Sequence, residues 1–192
     1  MERSLRERGV GAKHTCGGIM AHLVSRSVII ALSACTLASV AATTPAAARE
    51  VVSFRDGYSA GTVVVRTSER RLYYVLGNGQ AVRYPVGVGR YGKQWSGTTM
   101  ISGKHWHPDW SPPSDVKRDK PFLPNLIRGG TSRNPMGVAA LTLAGGQYAI
   151  HGTNMPGSVG GFVSYGCIRM YNADVTDLYG RVGVGTTVVV TQ

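Results

Sequence analysis

Gly61-Thr-Val-Val-Val-Arg-Thr67, Arg71-Leu-Tyr-Tyr-Val-Leu76 and Gln80-Ala-Val-Arg-Tyr-Pro-Val86 follow one another with only short links between them. Each run is dominated by β-branched and aromatic residues, the composition that suits a pleated, half-buried surface. Leu76-Gly-Asn-Gly79 supplies turn chemistry between the second and third runs, so those two are expected to form a hairpin. Working outward, Gly97 to Gly103, Val138 to Ala144, Tyr148 to Ile150 and Thr186 to Thr191 read as further strands. A helix is expected from Asn172, with Asn172 as its cap and Asp174 in its first turns. Val175, Leu178, Tyr179 and Val182 fall on one face of it, and Gly183 stops it. Trp106 to Asn134, rich in proline and charge, reads as a long irregular segment, the kind that often carries function in a compact domain. The pattern predicts a mainly β domain, sandwich-like and mostly antiparallel, with one short helix. The 26 glycines recur with no fixed period, which excludes collagen and repeat arrays.

The first 48 residues read as targeting sequence. From Met20 the chain has a basic start, an apolar run from Val28 to Ala42, and Pro45-Ala-Ala-Ala48 at its end. These are the parts of a secretory signal peptide, with cleavage expected after Ala48. Residues 1–19 carry Arg3, Arg6, Arg8 and Lys13 and read as a basic leader, or as sequence ahead of a true start near Met20. The apolar run is too short and too rich in small residues for a membrane span. Leu32-Ser-Ala-Cys35 also fits a lipobox, in which Cys35 would be lipidated, although apolar sequence continues past it. Residues 49–192 then form one domain.

Of three cysteines, Cys16 and Cys35 lie in this leader, so the mature chain keeps Cys167 alone. In an oxidising compartment cysteines are usually paired. An unpaired one is either a small buried hydrophobe or a reactive thiol, and composition leaves that fork open. Removing the leader leaves 16 basic and 8 acidic residues, a net charge of +8. The basic residues are scattered and no nucleic-acid motif accompanies them, so an anionic wall polymer, or simple solubility, accounts for the charge better than nucleic acid.

The chemistry concentrates between Tyr148 and Tyr171. His151 ends a strand and opens a glycine-rich loop; Ser164-Tyr165-Gly166 leads into Cys167, ahead of the helix. A thiol attacks as its thiolate, so it needs a base or a positive neighbour, and an imidazole serves both to take the proton and to return it. Glycine beside the nucleophile lets backbone N–H groups face a reacting carbonyl, with Gly166 and Cys167 as the expected oxyanion donors.

His151-Gly-Thr-Asn154, Pro156, Gly160 and Ser164-x-Gly166-Cys167-Ile168-Arg169-Met170 together resemble the signature of the L,D-transpeptidase (YkuD) catalytic domain. The resemblance extends to Trp110-Ser-Pro-Pro113, Asn134-Pro-Met-Gly137, Asn172-x-Asp174, Leu178-Tyr179 and Gly185-Thr186, and so covers most of residues 61–191. It implies a β-sandwich of the YkuD type, Cys167 as nucleophile, His151 as general base, and neither metal nor organic cofactor. It further implies peptidoglycan stem tetrapeptides as donors. Their terminal D-alanine leaves, the stem is held as a thioester, and an amine of a second stem or of a wall-anchored lipoprotein resolves it. Arg169 is then expected to hold the site or a substrate carboxylate, Ser164 to orient the site, and Gly152, Thr153, Asn154 and Trp110 to line a substrate groove. In one departure, Tyr165 stands where the family most often has His. The same thioester resolved by water would make a carboxypeptidase or a hydrolase of wall cross-links. A wall-binding module without chemistry would instead leave Cys167 buried and inert.

Other features have blander readings. His105 and His107 are expected on one face of a strand, but two imidazoles without a third ligand do not make a metal site. Trp95, Trp106 and Trp110 are as fit for packing as for a groove.

Overall fold

The computed structural model describes residues 49–192. Met20, Cys16, Cys35 and the expected cleavage after Ala48 therefore lie outside the described residues. Strands β1 (Glu50–Ser53), β2 (Val63–Arg66), β3 (Arg71–Gly77) and β4 (Gln80–Pro85) pair antiparallel in the order β1-β4-β3-β2. The hairpin joining β3 and β4 turns at Asn78 and Gly79, both at positive φ, as expected of Gly-Asn-Gly. Alternation explains why these strands are apolar nearly throughout. Val63, Val65, Leu72, Val82 and Tyr84 enter the main core, while Val64, Tyr73, Val75 and Ala81 pack with Phe54 in a smaller one on the other face.

The C-terminal strand β11 (Thr187–Thr191) lies between β2, to which it is parallel, and β6 (Gly97–Trp106). β6 is the hinge of the architecture. Its first residues pair with β11 and its later ones with β7 (Ala139–Leu143), with a register shift between Ile101 and Gly103. Beyond it come β8 (Ala149–His151) and β10 (Ile168–Arg169), the latter parallel to β8 at the edge. The two halves close on one core that unites Val63, Leu72, Ile101, Leu141, Ile150 and Ile168 with Val175 and Leu178 of the helix α2 (Asn172–Arg181). Each such side chain stabilises the fold by about 1.5–3 kcal/mol relative to exposure. A two-residue pairing, β5 (Val88–Gly89) with β9 (Phe162–Ser164), lies beside β10, and Gly87 bridges to Arg169. The mainly β, sandwich-like expectation therefore holds.

Three local expectations need correction. The segment from Trp106 contains a second short helix, α1 (Ser114–Asp119), entered from Pro113 and stopped before Pro121; six residues are too few to show a helical period. Asn172 does not cap α2. Tyr171 stands at the N-cap without a side-chain bond, and the Asn172 carboxamide points elsewhere. β6 ends at Trp106 and His107 turns to φ +48°, so His105 and His107 do not share a strand face. Trp106, as fit for packing as for a groove, packs edge-on to Tyr179 of α2.

Candidate active site

β8 and β10 bring the chemistry together. In their parallel register Ile168 pairs with Ile150 and Arg169 with His151. Extending the register by one places Cys167 beside Ala149. Since alternate residues of a strand share a face, Cys167, Arg169 and His151 all emerge on the same side of the sheet edge. They open into one cleft of about 540 Å³, walled by Trp110, Tyr148 and Tyr165 and by α1.

The turn before Cys167 is held from several sides. Ser164, buried, donates from Oγ to the Cys167 carbonyl at 2.6 Å and accepts the Gly166 N–H at 3.1 Å. Trp95 stacks on Tyr148 and donates its Nε1–H to the Gly166 carbonyl at 2.9 Å. Gly166 has φ +119°, and a Cβ there would overlap the Tyr148 ring, so only glycine fits this turn. The Gly166 N–H, expected as an oxyanion donor, is engaged by Ser164 Oγ in this structure. The Cys167 N–H makes no hydrogen bond among the described residues.

His151 is 4% exposed, and its Nδ1 lies 2.6 Å from the Gly152 carbonyl. A carbonyl only accepts, so this contact favours the tautomer with the proton on Nδ1 and the lone pair on Nε2. Burial, reinforced by the positive charge of Arg169 opposite, pulls the imidazole down to about 4 despite the Gly152 and Pro135 carbonyls that favour its charged form. Burial also pushes the Cys167 thiol up, against a backbone N–H at Ala149 and the Arg169 charge, which favour the thiolate. The resting pair at neutral pH is thus neutral thiol and neutral imidazole. Arg169 donates from Nη1 to Ser158 Oγ at 2.9 Å, while its buried Nε has no partner.

Tyr165 donates its hydroxyl to Asp119 Oδ2 at 2.8 Å, and Arg90 lies over its ring while pairing with the same carboxylate at 2.6 Å. Lys93 pairs with Asp115 at 2.7 Å. These contacts tie α1 to the nucleophile's turn, a linkage that the motif alone did not reveal. Trp110 lines the cleft. Thr153 and Asn154 do not; they line a second cavity of about 480 Å³ with Ser132 and Asn172, because the chain turns away after His151. Gly152 contributes its carbonyl rather than a wall. Among the described residues no group of three His, Cys, Asp or Glu side chains is disposed for a metal, and no helix is long and apolar enough to cross a membrane.

The YkuD family profile, described as the L,D-transpeptidase catalytic domain, matches residues 60–190. The Escherichia coli (strain K12) protein named Probable L,D-transpeptidase YbiS is 38% identical over 136 residues, covering 66% of this chain and 43% of its own length. From the same organism, Probable L,D-transpeptidase ErfK/SrfK is 37% identical over 135 residues, covering 66% of this chain and 42% of its own. The chain thus spans less than half the length of these relatives. Among solved structures, an L,D-transpeptidase from Mycobacterium smegmatis superposes with a TM-score of 0.55 at 19% identity, over 68% of this chain and 58% of that one. The NMR structure of the catalytic domain from E. faecium L,D-transpeptidase does so at 0.52 and 17%, over 68% and 95%. At such identities the structural likeness is one of fold.

Proposed function

The chain belongs to the YkuD family of L,D-transpeptidase catalytic domains, and on that footing we propose that it is a peptidoglycan L,D-transpeptidase working through a thioester on Cys167. The observation that carries the reading is the shared cleft. Cys167 and His151 open into it from one face of β8–β10, with the imidazole proton held on Nδ1 by Gly152.

The donor stem peptide enters the cleft with its scissile carbonyl over Cys167. His151 Nε2 takes the thiol proton as Sγ attacks, so the ion pair forms during the reaction rather than before it. The Cys167 N–H faces the developing oxyanion, and the Arg169 charge stabilises the negative sulfur. The imidazolium returns its proton to the leaving amine of the terminal D-alanine, and the stem remains as a thioester. An amine of a second stem, or of a wall-anchored lipoprotein, gives up a proton to His151 and displaces the thiolate, which takes that proton back from the imidazolium to restore the neutral pair. The Arg169 guanidinium, which lines the cleft, is the positive group placed to meet a substrate carboxylate. The bond energy comes from the donor peptide, so no nucleotide or organic cofactor enters the scheme. The excess of basic residues suits an anionic wall polymer, and the leader over residues 1–48 suits export to the periplasm or cell envelope.

Incubating the full chain with disaccharide tetrapeptide and separating the products tests this. Cross-linked dimer with release of D-alanine is expected, and Cys167→Ala should yield none. Release of D-alanine without dimer, even at high acceptor concentration, would assign the site to hydrolysis. No product with either protein would leave a binding module.

A further inference from the structure

The peptide group joining Gly152 to Thr153 is gripped at both ends. Its carbonyl accepts the His151 Nδ1–H at 2.6 Å, and its N–H donates to Asn172 Oδ1 at 2.9 Å. Asn172 closes the grip by donating its Nδ2–H to the Thr153 carbonyl at 3.0 Å, and its Oδ1 also receives the Val138 N–H at 3.4 Å. The carboxamide sits in a slot between two glycines. A Cβ at Gly137, where φ is +66°, or at Gly152 would collide with Asn172 Oδ1. The backbone thus approaches this one side chain from two directions.

We propose that Asn172 is a positioning residue for His151, acting through the Gly152–Thr153 peptide to hold the imidazole in its Nδ1–H tautomer with Nε2 free for the Cys167 proton. The peptide group is planar, so fixing the direction of its N–H fixes the direction of the carbonyl opposite. An N–H that donates also polarises its own carbonyl, making the Gly152 oxygen a better acceptor for the imidazole proton. The sequence Asn172–peptide–His151–Cys167 then does what a directly bonded carboxylate or amide does for an imidazole elsewhere, with one peptide unit interposed. Asn172 itself does not line the cleft that holds Cys167; it belongs to the wall of the second cavity.

The inference rests on the proposed thioester chemistry, so its test carries separate readouts. The full chain is compared with Asn172→Ala, Asn172→Asp and His151→Ala. Imidazole nitrogens are followed by NMR, and steady-state kinetics are measured on disaccharide tetrapeptide. Wild type is expected to show His151 in the Nδ1–H form alone. Asn172→Ala is expected to show both tautomers and a kcat lower by roughly 10–100-fold with KM nearly unchanged, the size of loss that follows a misplaced catalytic group. Asn172→Asp keeps the oxygen that receives the Thr153 N–H, and should hold the tautomer and recover most of kcat. A single Nδ1–H tautomer in Asn172→Ala would overturn the proposal, as would equal losses of kcat in the Ala and Asp variants. Should Asn172→Ala fail to fold, the Asp variant decides alone: a mixed tautomer there rejects the proposal. Full activity of His151→Ala would instead overturn the chemistry while leaving the tautomer result interpretable.

Discussion

Burial of a neutral His151 has a cost that appears only in acid. An ordinary histidine titrates near 6.5, and in the folded chain this one is pulled down to about 4. Between those values the unfolded chain binds a proton that the native state refuses, so stability rises with pH across the window. Above about 6.5 both states are neutral at this residue and nothing is lost. As pH falls towards 4 the native state loses ~1.4 kcal/mol per pH unit, or about 3 kcal/mol in all, and below 4 no further loss accrues from this group. His151→Gln removes the titration while keeping a neutral polar side chain. Urea unfolding followed by tryptophan fluorescence, at steps from about pH 7 to pH 4, gives both stability curves. Other groups, including the carboxylates, contribute to both proteins and cancel in the difference. The wild type should lose about 3 kcal/mol more than the variant over this range. Parallel curves would show that His151 titrates normally, and the neutral resting pair would have to be abandoned.

Gly166→Ala combines a side chain at φ +119° with overlap on the Tyr148 ring; unfolding in urea should show a loss of about 2–5 kcal/mol, and Cys167 should alkylate at an altered rate. Leu178→Ala empties a fully buried site where α2 meets the sheet, and denaturant titration should report a loss of about 2–5 kcal/mol with the unfolding slope unchanged. Tyr165→Phe removes one bond to Asp119 at the surface. It should leave the melting temperature unaltered while limited proteolysis within residues 114–120 becomes faster.

Much of the architecture was legible because its signals are local. The apolar runs at 63–66, 71–77 and 187–191, the Gly-Asn-Gly turn and the face of α2 all declare themselves within a few residues. What escaped was set by partners distant in sequence. β5, β9 and β10 are two or three residues long and exist because Gly87 bonds Arg169 and β8 offers β10 an edge. α1 is held by Lys93, Arg90 and Tyr165, none of them near it in sequence. In the site, residue type and motif single out Cys167 and His151, which the fold brings into one cleft, but they do not reveal that Ser164 folds back onto the Gly166 N–H. Asn172 looked like a cap because asparagine opening a helix usually is one. Only the fold shows its amide reaching the loop after His151.

Intact-protein mass spectrometry of the full chain mixed with disaccharide tetrapeptide, before and after adding an amine acceptor, tests the Cys167 thioester directly. An adduct of the stem less its terminal D-alanine is expected, mapped to Cys167, stable in buffer and discharged when the acceptor is added. No adduct at Cys167, with the same thiol also unreactive towards a small alkylating reagent, would contradict it.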